Sequence, residues 1–553
     1  MILSGIDCTP RLRANVSRKL RRFGCALLVA AAFFNTTPRA YGAESIASPA
    51  GDAGGVGLTT LRTYCAGCHT EGPAAQFQRV SVIRKSPEGW LMTIVRMQHV
   101  HGMALPDDAR DTLIKYLSDT QGLAPSESAA GRFALERRPN TPDLQLGDDL
   151  PVLCGRCHSL ARVALQRRDA DEWLKHMHMH VGQFPSLEYQ ASSRDRYWWQ
   201  TATTVLPGKL GELFPFDTPQ WRAWRDQKHA DPTGEWLVRG RAPGHGDYFG
   251  TLSVTASGND AYTGKWSVQH ADGKTMTGSS IVRIYTGYEW RGTAKWGDLD
   301  VREVFALSED GRRLSGRWFD AQHTEVGGDV TAERAEGPAA VLAVLPRALK
   351  TGVTQEVVIV GRGLKGAVNF GPGTKAKVLG NAAGMLRVSV SVDAKAAVGI
   401  RPVSVGKTTA PHLAVIYDQV DRVQVLPGYA IARVGGGKID PVSAQFEAIG
   451  FLEPRANGTA RESVELGPVE VKWKVAPRNE EAAKADDVKF AGSIDAAGRF
   501  TPGAAGPNPE RKYASNNAGD LSVIASLEQG GKEVKGDSHL IVSVQRWVTP
   551  PIY

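Results

Sequence analysis

The apolar positions of this 553-residue chain change period near Asp231. Before it they recur every three to four residues, the spacing of a helix that buries one face. Val56, Leu58, Leu61 and Tyr64 form one such stripe. Ser86-Pro87-Glu88 is a helix start with Pro in the first turn, and Trp90, Ile94 and Met97 share a face beyond it. Pro106-Asp107-Asp108 opens another helix, with Leu113, Ile114, Tyr116 and Leu117 apolar and Gly122 just past its end. Asp169–Asp171 start a further one carrying Trp173, Met177 and His180 on one face. Trp90 aligns with Trp173 and Met97 with His180 without gaps, so this part of the chain reads as two related units. Residues 185–230 add aromatic-rich helical sequence (RDRYWWQ, QWRAWRDQ).

After Asp231 short runs with strand character take over. EWLVRG, YFGTLSVTA, YTGKWSVQH, Ser280–Tyr285 and Val301–Leu307 read as strands, and Asp272-Gly273 and Asp310-Gly311 as hairpin turns. They predict an antiparallel barrel or sandwich of roughly a hundred residues. Residues 334–339 read as a linker. QEVVIVG, LRVSVSV, IRPVSVG and LAVIYD then predict an Ig-like sandwich. From Gln419 a third β region carries VEVKWKV, LSVIASL and HLIVSVQRWV, with a Gly/Ala/Pro-rich excursion over 478–520. Gly361, Gly363 and Gly366 have G-x-G-x-x-G spacing, but Asn369-Phe370-Gly371-Pro372-Gly373 follows where a dinucleotide fold needs a helix, so they read as turns.

Two motifs carry the chemistry. Cys65-Ala66-Gly67-Cys68-His69 and Cys154-Gly155-Arg156-Cys157-His158 are both Cys-x-x-Cys-His, the attachment sequence of c-type haem. The thiols tether the porphyrin, and the adjoining His becomes the proximal iron ligand. That His in both copies separates them from redox or zinc Cys pairs. For the sixth ligand of the first haem, the candidates are Met97, His99, His101 and Met103; the repeat favours Met97, with His101 and Met103 as alternatives. In the second unit His176, Met177, His178, Met179 and His180 crowd together, and His180 is the candidate ligand. His176 and His180, four apart on a helix, also have copper or zinc spacing. Met/His ligation raises the potential relative to bis-His, which would make the first haem the stronger oxidant.

Residues 1–43 read as a secretory leader, with a basic start, the apolar core Cys25–Phe34 and small residues at Ala40–Ala43. The leader holds seven Lys/Arg and one Asp, so most of the formal +8 resides there and about +2 remains. The basic balance therefore does not argue for nucleic acid or membrane partners. Of six Cys, Cys8 and Cys25 lie in the leader, and the other four are all committed to haem. Export suits attachment of c-type haem and predicts a periplasmic protein without a membrane span. The fold class expected is multidomain: an α-helical diheme cytochrome c domain (44–230), an antiparallel barrel-like domain (231–335), an Ig-like sandwich (336–418) and a C-terminal β-sandwich (419–553), the last three all-β.

This arrangement resembles the alpha subunit of quinohemoprotein amine dehydrogenase. The resemblance rests on both haem motifs, the helix Trp90–Met97, IKYLSDTQGLAPSE (Ile114–Glu127), HVGQFPSLEYQ (His180–Gln190) and the domain order. It implies a heterotrimer with a beta-propeller subunit and a small subunit bearing a cysteine tryptophylquinone, where the amine is oxidised. This chain would carry electrons through two hemes to an external cytochrome c or blue copper protein. It implies one His/Met and one bis-His haem, in agreement with Met97 and His180; the extra His99, Met103, His176 and Met179 depart from it. With no cysteine left for a quinone crosslink, this chain would hold no catalytic residue of the amine chemistry. Two alternatives are a free-standing diheme cytochrome serving another redox partner and a diheme peroxidase-like enzyme.

Overall fold

A computed structural model describes residues 53–132, 143–155, 158–184, 187, 196–270, 273–382, 384–437, 439–455 and 462–544. The leader, Cys157, Asp272 of one hairpin turn, residues 185–186 and 188–190 of the His180–Gln190 stretch, Arg194 and Asp195 of RDRYWWQ, and Gln545–Val548 of the last strand run lie outside them.

Ten helices occupy the first part among the described residues: α1 (Ala53–Cys65), α2 (Pro87–His101), α3 (Asp107–Thr120), α4 (Pro125–Ser128), α5 (Asp149–Leu153), α6 (Ala161–Ala164), α7 (Ala170–Gln183), α8 (Trp198–Thr204), α9 (Leu206–Leu213) and α10 (Pro219–Arg225). The expectation of an α-helical cytochrome domain needs correction. Four of these helices reach thirteen residues or more, and three span only four or five. Between α1 and α2 the chain runs through a 3₁₀ turn at Pro73–Ala75 and then the strand β1 (Arg84–Lys85), which pairs antiparallel with β2 (Gln166–Arg167). Gly72 and Pro73 stop helical continuation after the first motif. The chain as a whole is mostly β, 43% strand against 23% helix, so helices are the minor component.

Strands β3 (Gly234–Ala242) to β10 (Gly327–Arg334) form a closed antiparallel meander, β10 pairing back onto β3. In β5 (Ala261–His270) Tyr262, Gly264, Trp266 and Val268 alternate inward, which is the two-residue period of a pleated strand. Trp236, Trp266, Trp290, Trp296, Trp318 and Phe305 fill the interior. Glu303 is buried among them, its carboxylate accepting from Trp290 Nε1 at 2.8 Å and Ser280 Oγ at 2.6 Å, and burial raises its pKa to about 7. The barrel docks on the helical part through the turn between β6 (Thr275–Tyr285) and β7 (Glu289–Trp296): Thr286 N–H donates to Asp119 at 2.8 Å and Tyr288 OH lies 2.7 Å from Ser128 Oγ.

Beyond the barrel, β11 (Ala340–Leu345), β13 (Thr354–Arg362), β16 (Met385–Val392) and β15 (Thr374–Ala382) form one four-stranded sheet, and β12 (Ala348–Lys350), β18 (Thr408–Tyr417), β17 (Gly399–Val405) and β14 (Val368–Asn369) another. Val357, Ile359, Val388, Val390 and Val403 close the core between them. Gly363 (φ +58°) and Gly366 (φ +108°) sit in the turn after β13 (Thr354–Arg362), where a left-handed backbone favours glycine. The last region has three sheets: β19 (Arg422–Leu426), β22 (Glu447–Leu452) and β23 (Val464–Pro468); β20 (Tyr429–Arg433), β28 (Lys532–Ser543), β27 (Gly519–Gln529) and β24 (Lys472–Pro477); and β21 (Ala444–Gln445), β26 (Arg499–Pro502) and β25 (Gly492–Ile494), each in that order. It is not all-β as expected: the excursion contains α11 (Glu480–Lys484) and α12 (Asp487–Phe490). Asn479 caps α11 by accepting from Ala482 N–H, which starts a helix where composition alone indicated loop. Among the described residues no helix is long and apolar enough to cross a membrane.

Candidate functional site

Helices α2 and α7 are the repeat equivalents, and the β1–β2 pair sets them against each other. Arg84 stands opposite Arg167 in that pair, and the two are also equivalent in the repeat, so a pseudo-twofold axis passes between them. The equivalence continues outward. Lys85 N–H donates to the Gln121 carbonyl at 3.0 Å and Arg168 N–H to the Phe214 carbonyl at 3.1 Å. Ser86 and Asp169 both cap their helices, accepting from Gly89 N–H at 3.3 Å and Glu172 N–H at 2.7 Å. Lys85 lies 5.7 Å from the Trp90 ring centroid and Arg168 lies 5.5 Å from that of Trp173.

One carboxylate holds the axis. Glu127 accepts from Arg84 Nη1 and Nη2 (2.8 and 2.9 Å), Arg167 Nε (3.1 Å), Thr218 Oγ1 (2.8 Å) and Ala124 N–H (2.8 Å). The Arg84 and Glu127 side chains are only 2% and 6% exposed, so the pair is largely cut off from solvent screening. Burial pushes the Glu127 carboxyl up, but the hydrogen bonds and charges of Arg84 and Arg167 outweigh it and hold it at about 2. Sequence reasoning did not pick out this group, although Glu127 ends the stretch Ile114–Glu127.

Between α2 and α7 lies a cavity of about 470 Å³, within the ~300–1,000 Å³ range of cofactor sites. Cys154, His158 and His180 all line it. Asp149–Leu153 presents Cys154, and its carbonyl end is fixed by Trp198 Nε1 donating to Leu153 O at 3.1 Å. His158 Nδ1 is 2.9 Å from Ser159 O, and His180 Nδ1 is 2.8 Å from His176 O. A carbonyl only accepts, so each neutral ring carries its proton on Nδ1 and leaves the Nε2 lone pair free for a metal. Burial lowers the pKa of both rings, which keeps them in that neutral form. His176 lines the cavity beside His180, ring centroids 4.9 Å apart, and burial together with Arg168 holds its pKa well below the ordinary value. His178 turns away and packs edge-on against Trp199 at 5.1 Å. Among the described residues no group of three or more His, Cys, Asp and Glu is arranged for a bare metal ion, so the copper or zinc spacing of His176 and His180 finds no third ligand.

In the first unit, Cys65 closes α1, and the N–H groups of Cys68 and His69 donate back to its carbonyl at 3.1 and 2.8 Å. His69 Nδ1 is 2.9 Å from Gln78 O, which again leaves Nε2 free. Burial, and then the neighbouring Cys68, raise the Cys65 thiol to about 11. Met103 packs into the same core as Cys65, with Leu61, Phe77, Trp90 and Ile94. Met97 is half-buried in the last turn of α2, where its carbonyl accepts from the N–H groups of Gly102 and Met103. His99 and His101 are exposed; His99 lines the second unit's cavity, and His101 Nε2 is 3.2 Å from Gln183 Nε2 on α7.

Four family models match the chain in succession, all describing the quinohemoprotein amine dehydrogenase alpha subunit: haem binding over residues 56–221, domain II over 229–335, domain III over 338–418 and domain IV over 423–552. The chain belongs to the quinohemoprotein amine dehydrogenase alpha-subunit family. As such it is a haem-binding member of a multi-subunit amine dehydrogenase complex. Both Cys-x-x-Cys-His motifs fall inside the haem-binding match. No curated protein sequence matches this alpha subunit. Solved structures that resemble parts of it include a redesigned β-barrel bound to DFHBI (14% identity, 18% of this chain and 97% of that one, TM-score 0.17). A de novo designed fluorescence-activating β-barrel (19%, 18% and 92%, 0.16) and protocadherin gamma B2 extracellular cadherin domains 1–5 (10%, 54% and 74%, 0.17) also match; TM-scores this low carry no structural inference.

Haem fits the second unit's cavity on three counts. Cys154 stands at its wall, two imidazoles with free Nε2 atoms face into it, and two buried donors of its lining residues lack partners: Arg96 Nε and Trp173 Nε1. A buried donor left unpaired costs about 1–3 kcal/mol, which an anionic cofactor edge would relieve.

Proposed function

We propose that this alpha subunit is the electron-transfer subunit of an exported, periplasmic amine dehydrogenase and holds two covalent c-type hemes. Cys65 and Cys68 would anchor the first, with His69 and Met97 as its iron ligands. Cys154 and Cys157 anchor the second, with His158 and His180 as its two ligands. Haem, when bound, supplies reversible one-electron chemistry at iron. The chain's own residues fix imidazole tautomers, exclude water and neutralise charge around it. The amine is oxidised on a cysteine tryptophylquinone of a small partner subunit, in a heterotrimer completed by a beta-propeller subunit. The electrons leave to an external cytochrome c or blue copper protein.

One observation supports this reading most. His158 and His180 face one cavity beside Cys154, each with Nδ1 committed to a backbone carbonyl. The test is anaerobic addition of amine to the native complex and to the isolated chain, followed at the haem absorption bands. Reduction in the complex and none in the isolated chain is expected; reduction of the isolated chain by amine, or peroxide turnover by it, would overturn the assignment. For the first haem, Met97→Ala should abolish the sulfur-to-iron charge-transfer band and Met103→Ala should leave it. The reverse result would make Met103 the ligand.

A further inference from the structure

The cavity between α2 and α7 has one wall that the iron ligands do not explain. Lys85 is almost fully buried and donates from Nζ to Thr93 Oγ1 at 2.5 Å. Arg96 also lines the cavity, and its Nε is buried with no partner. Arg168 is 3% exposed and lies against Trp173; it donates to Gln166 Oε1 at 3.1 Å, while its own Nε and the Trp173 Nε1 have no partner. Beyond burial, which acts most, Arg168 and Arg96 both lower the proton affinity of Lys85, and Arg96 lowers that of Arg168. Glu172, the carboxylate that most offsets Arg168, is also engaged by Arg79 at 3.0 Å and Lys175 at 2.5 Å, and Asp169, which offsets it less, caps α7. His176, facing the same cations, is held neutral.

Lys85 and Arg168 are buried, Arg96 buries its Nε near them, and the carboxylate that offsets Arg168 is shared with two other cations; like charges crowded in a poorly hydrated site, with donors unpaired, are an expensive arrangement. An incoming anion of about two negative charges removes both costs. Charge-assisted bonds from guanidinium to carboxylate are the strong ones.

We propose that Lys85, Arg96 and the Trp173 indole N–H, which line the cavity, with Arg168 against the Trp173 ring, form a dicarboxylate-binding wall for the two propionates of the haem seated by His158 and His180. The wall is shared between repeats. Lys85 and Arg96 belong to the first unit, Arg168 and Trp173 to the second, so helix α2 is part of the second haem's site. Lys85 and Arg168 are repeat equivalents, whereas Arg96 is matched by Met179, which makes Arg96 the residue that gives the wall its sidedness. The haem potential is then set across the pseudo-twofold axis: reduction adds negative charge to the haem, and the wall stabilises it.

The inference rests on the two-haem reading, and its test separates the two. Covalent haem is counted first in the purified native complex, and the potentials are then measured by spectroelectrochemical titration. Arg96→Met should shift the lower-potential wave to more negative values, and Arg96→Lys should restore most of the shift. Arg79→Met, which removes a cation paired to Glu172 on the outer side, should shift it much less. Trp173→Phe deletes one N–H while keeping an aromatic side chain, and should move the propionate bending band in the resonance Raman spectrum. Two hemes present, an unmoved wave in Arg96→Met and an unchanged Raman band in Trp173→Phe would overturn the wall. A native chain with a single haem would instead overturn the reading beneath it.

Discussion

The two repeats of the haem-binding region share a template and differ in how they finish it. Both start a helix behind a cap, set a cation over a Trp ring and tie the preceding residue's N–H to a distant carbonyl. In the first repeat Trp90 Nε1 also donates to that carbonyl, Gln121 O, at 3.2 Å, and Trp90, Ile94 and Leu113 pack into a core with Met103. In the second, Trp173 Nε1 has no partner and the helix face opens onto the cavity that His158 and His180 line. The difference teaches that a repeat conserves the frame, the axis, cap and cation, while unsatisfied donors mark where a ligand completes the fold.

The largest effect expected from breaking this frame is at the axis. Glu127→Ala strands Arg84 and Arg167 without their shared carboxylate, and breaking a buried pair in this way costs about 3–5 kcal/mol. Denaturant titration of the variant should show that loss, and a change under ~1 kcal/mol would refute the role given to the axis. The same group gives a pH signature. Its folded pKa, about 2, lies below the ordinary value of 4.5, so its stabilisation is full above 4.5 and is lost as pH falls toward 2. Wild-type stability should therefore fall in that window more steeply than that of Glu127→Gln.

Next come the caps. Asp169→Ala removes a short charge-assisted bond at a helix N-terminus, and Ser86→Ala removes a longer neutral one; within the ~0.5–2 kcal/mol typical of caps, Asp169→Ala should cost more. The smallest contrast is between the indoles. Trp90→Phe should cost about 1 kcal/mol for its lost hydrogen bond, and Trp173→Phe, measured before haem attachment, should cost little because its N–H has no partner to lose. Equal costs would mean that the two repeats are finished alike.

Local signals made much of the site readable. The Cys-x-x-Cys-His spacing and the starts at Ser86 and Asp169 are each written in a few adjacent residues, and α2 and α7 start where those signals place them. What was hidden is non-local. Nothing in the residues next to Arg84, Lys85, Glu127, Arg167 and Arg168 marks them for burial, because burial of a charge depends on its partner, which for Glu127 lies 40 or more residues away. The fold class was misjudged for a related reason. Helical periodicity around the motifs is real, but breakers such as Gly72 and Pro73 interrupt it between α1 and α2, a two-stranded sheet intervenes, and strands dominate the chain as a whole. In the C-terminal region a lone Asn cap was enough to start a helix inside a sequence rich in Gly, Ala and Pro.

The central claim is that the second repeat, with its own Cys154 and His158, holds a haem of its own. Pyridine haemochrome assay of the purified mature chain, after acid extraction of any free porphyrin, counts covalent haem per polypeptide. Two equivalents in the wild type, falling to one when Cys154 and Cys157 are both replaced by Ala, is the predicted result. One equivalent or none in the wild type would contradict it.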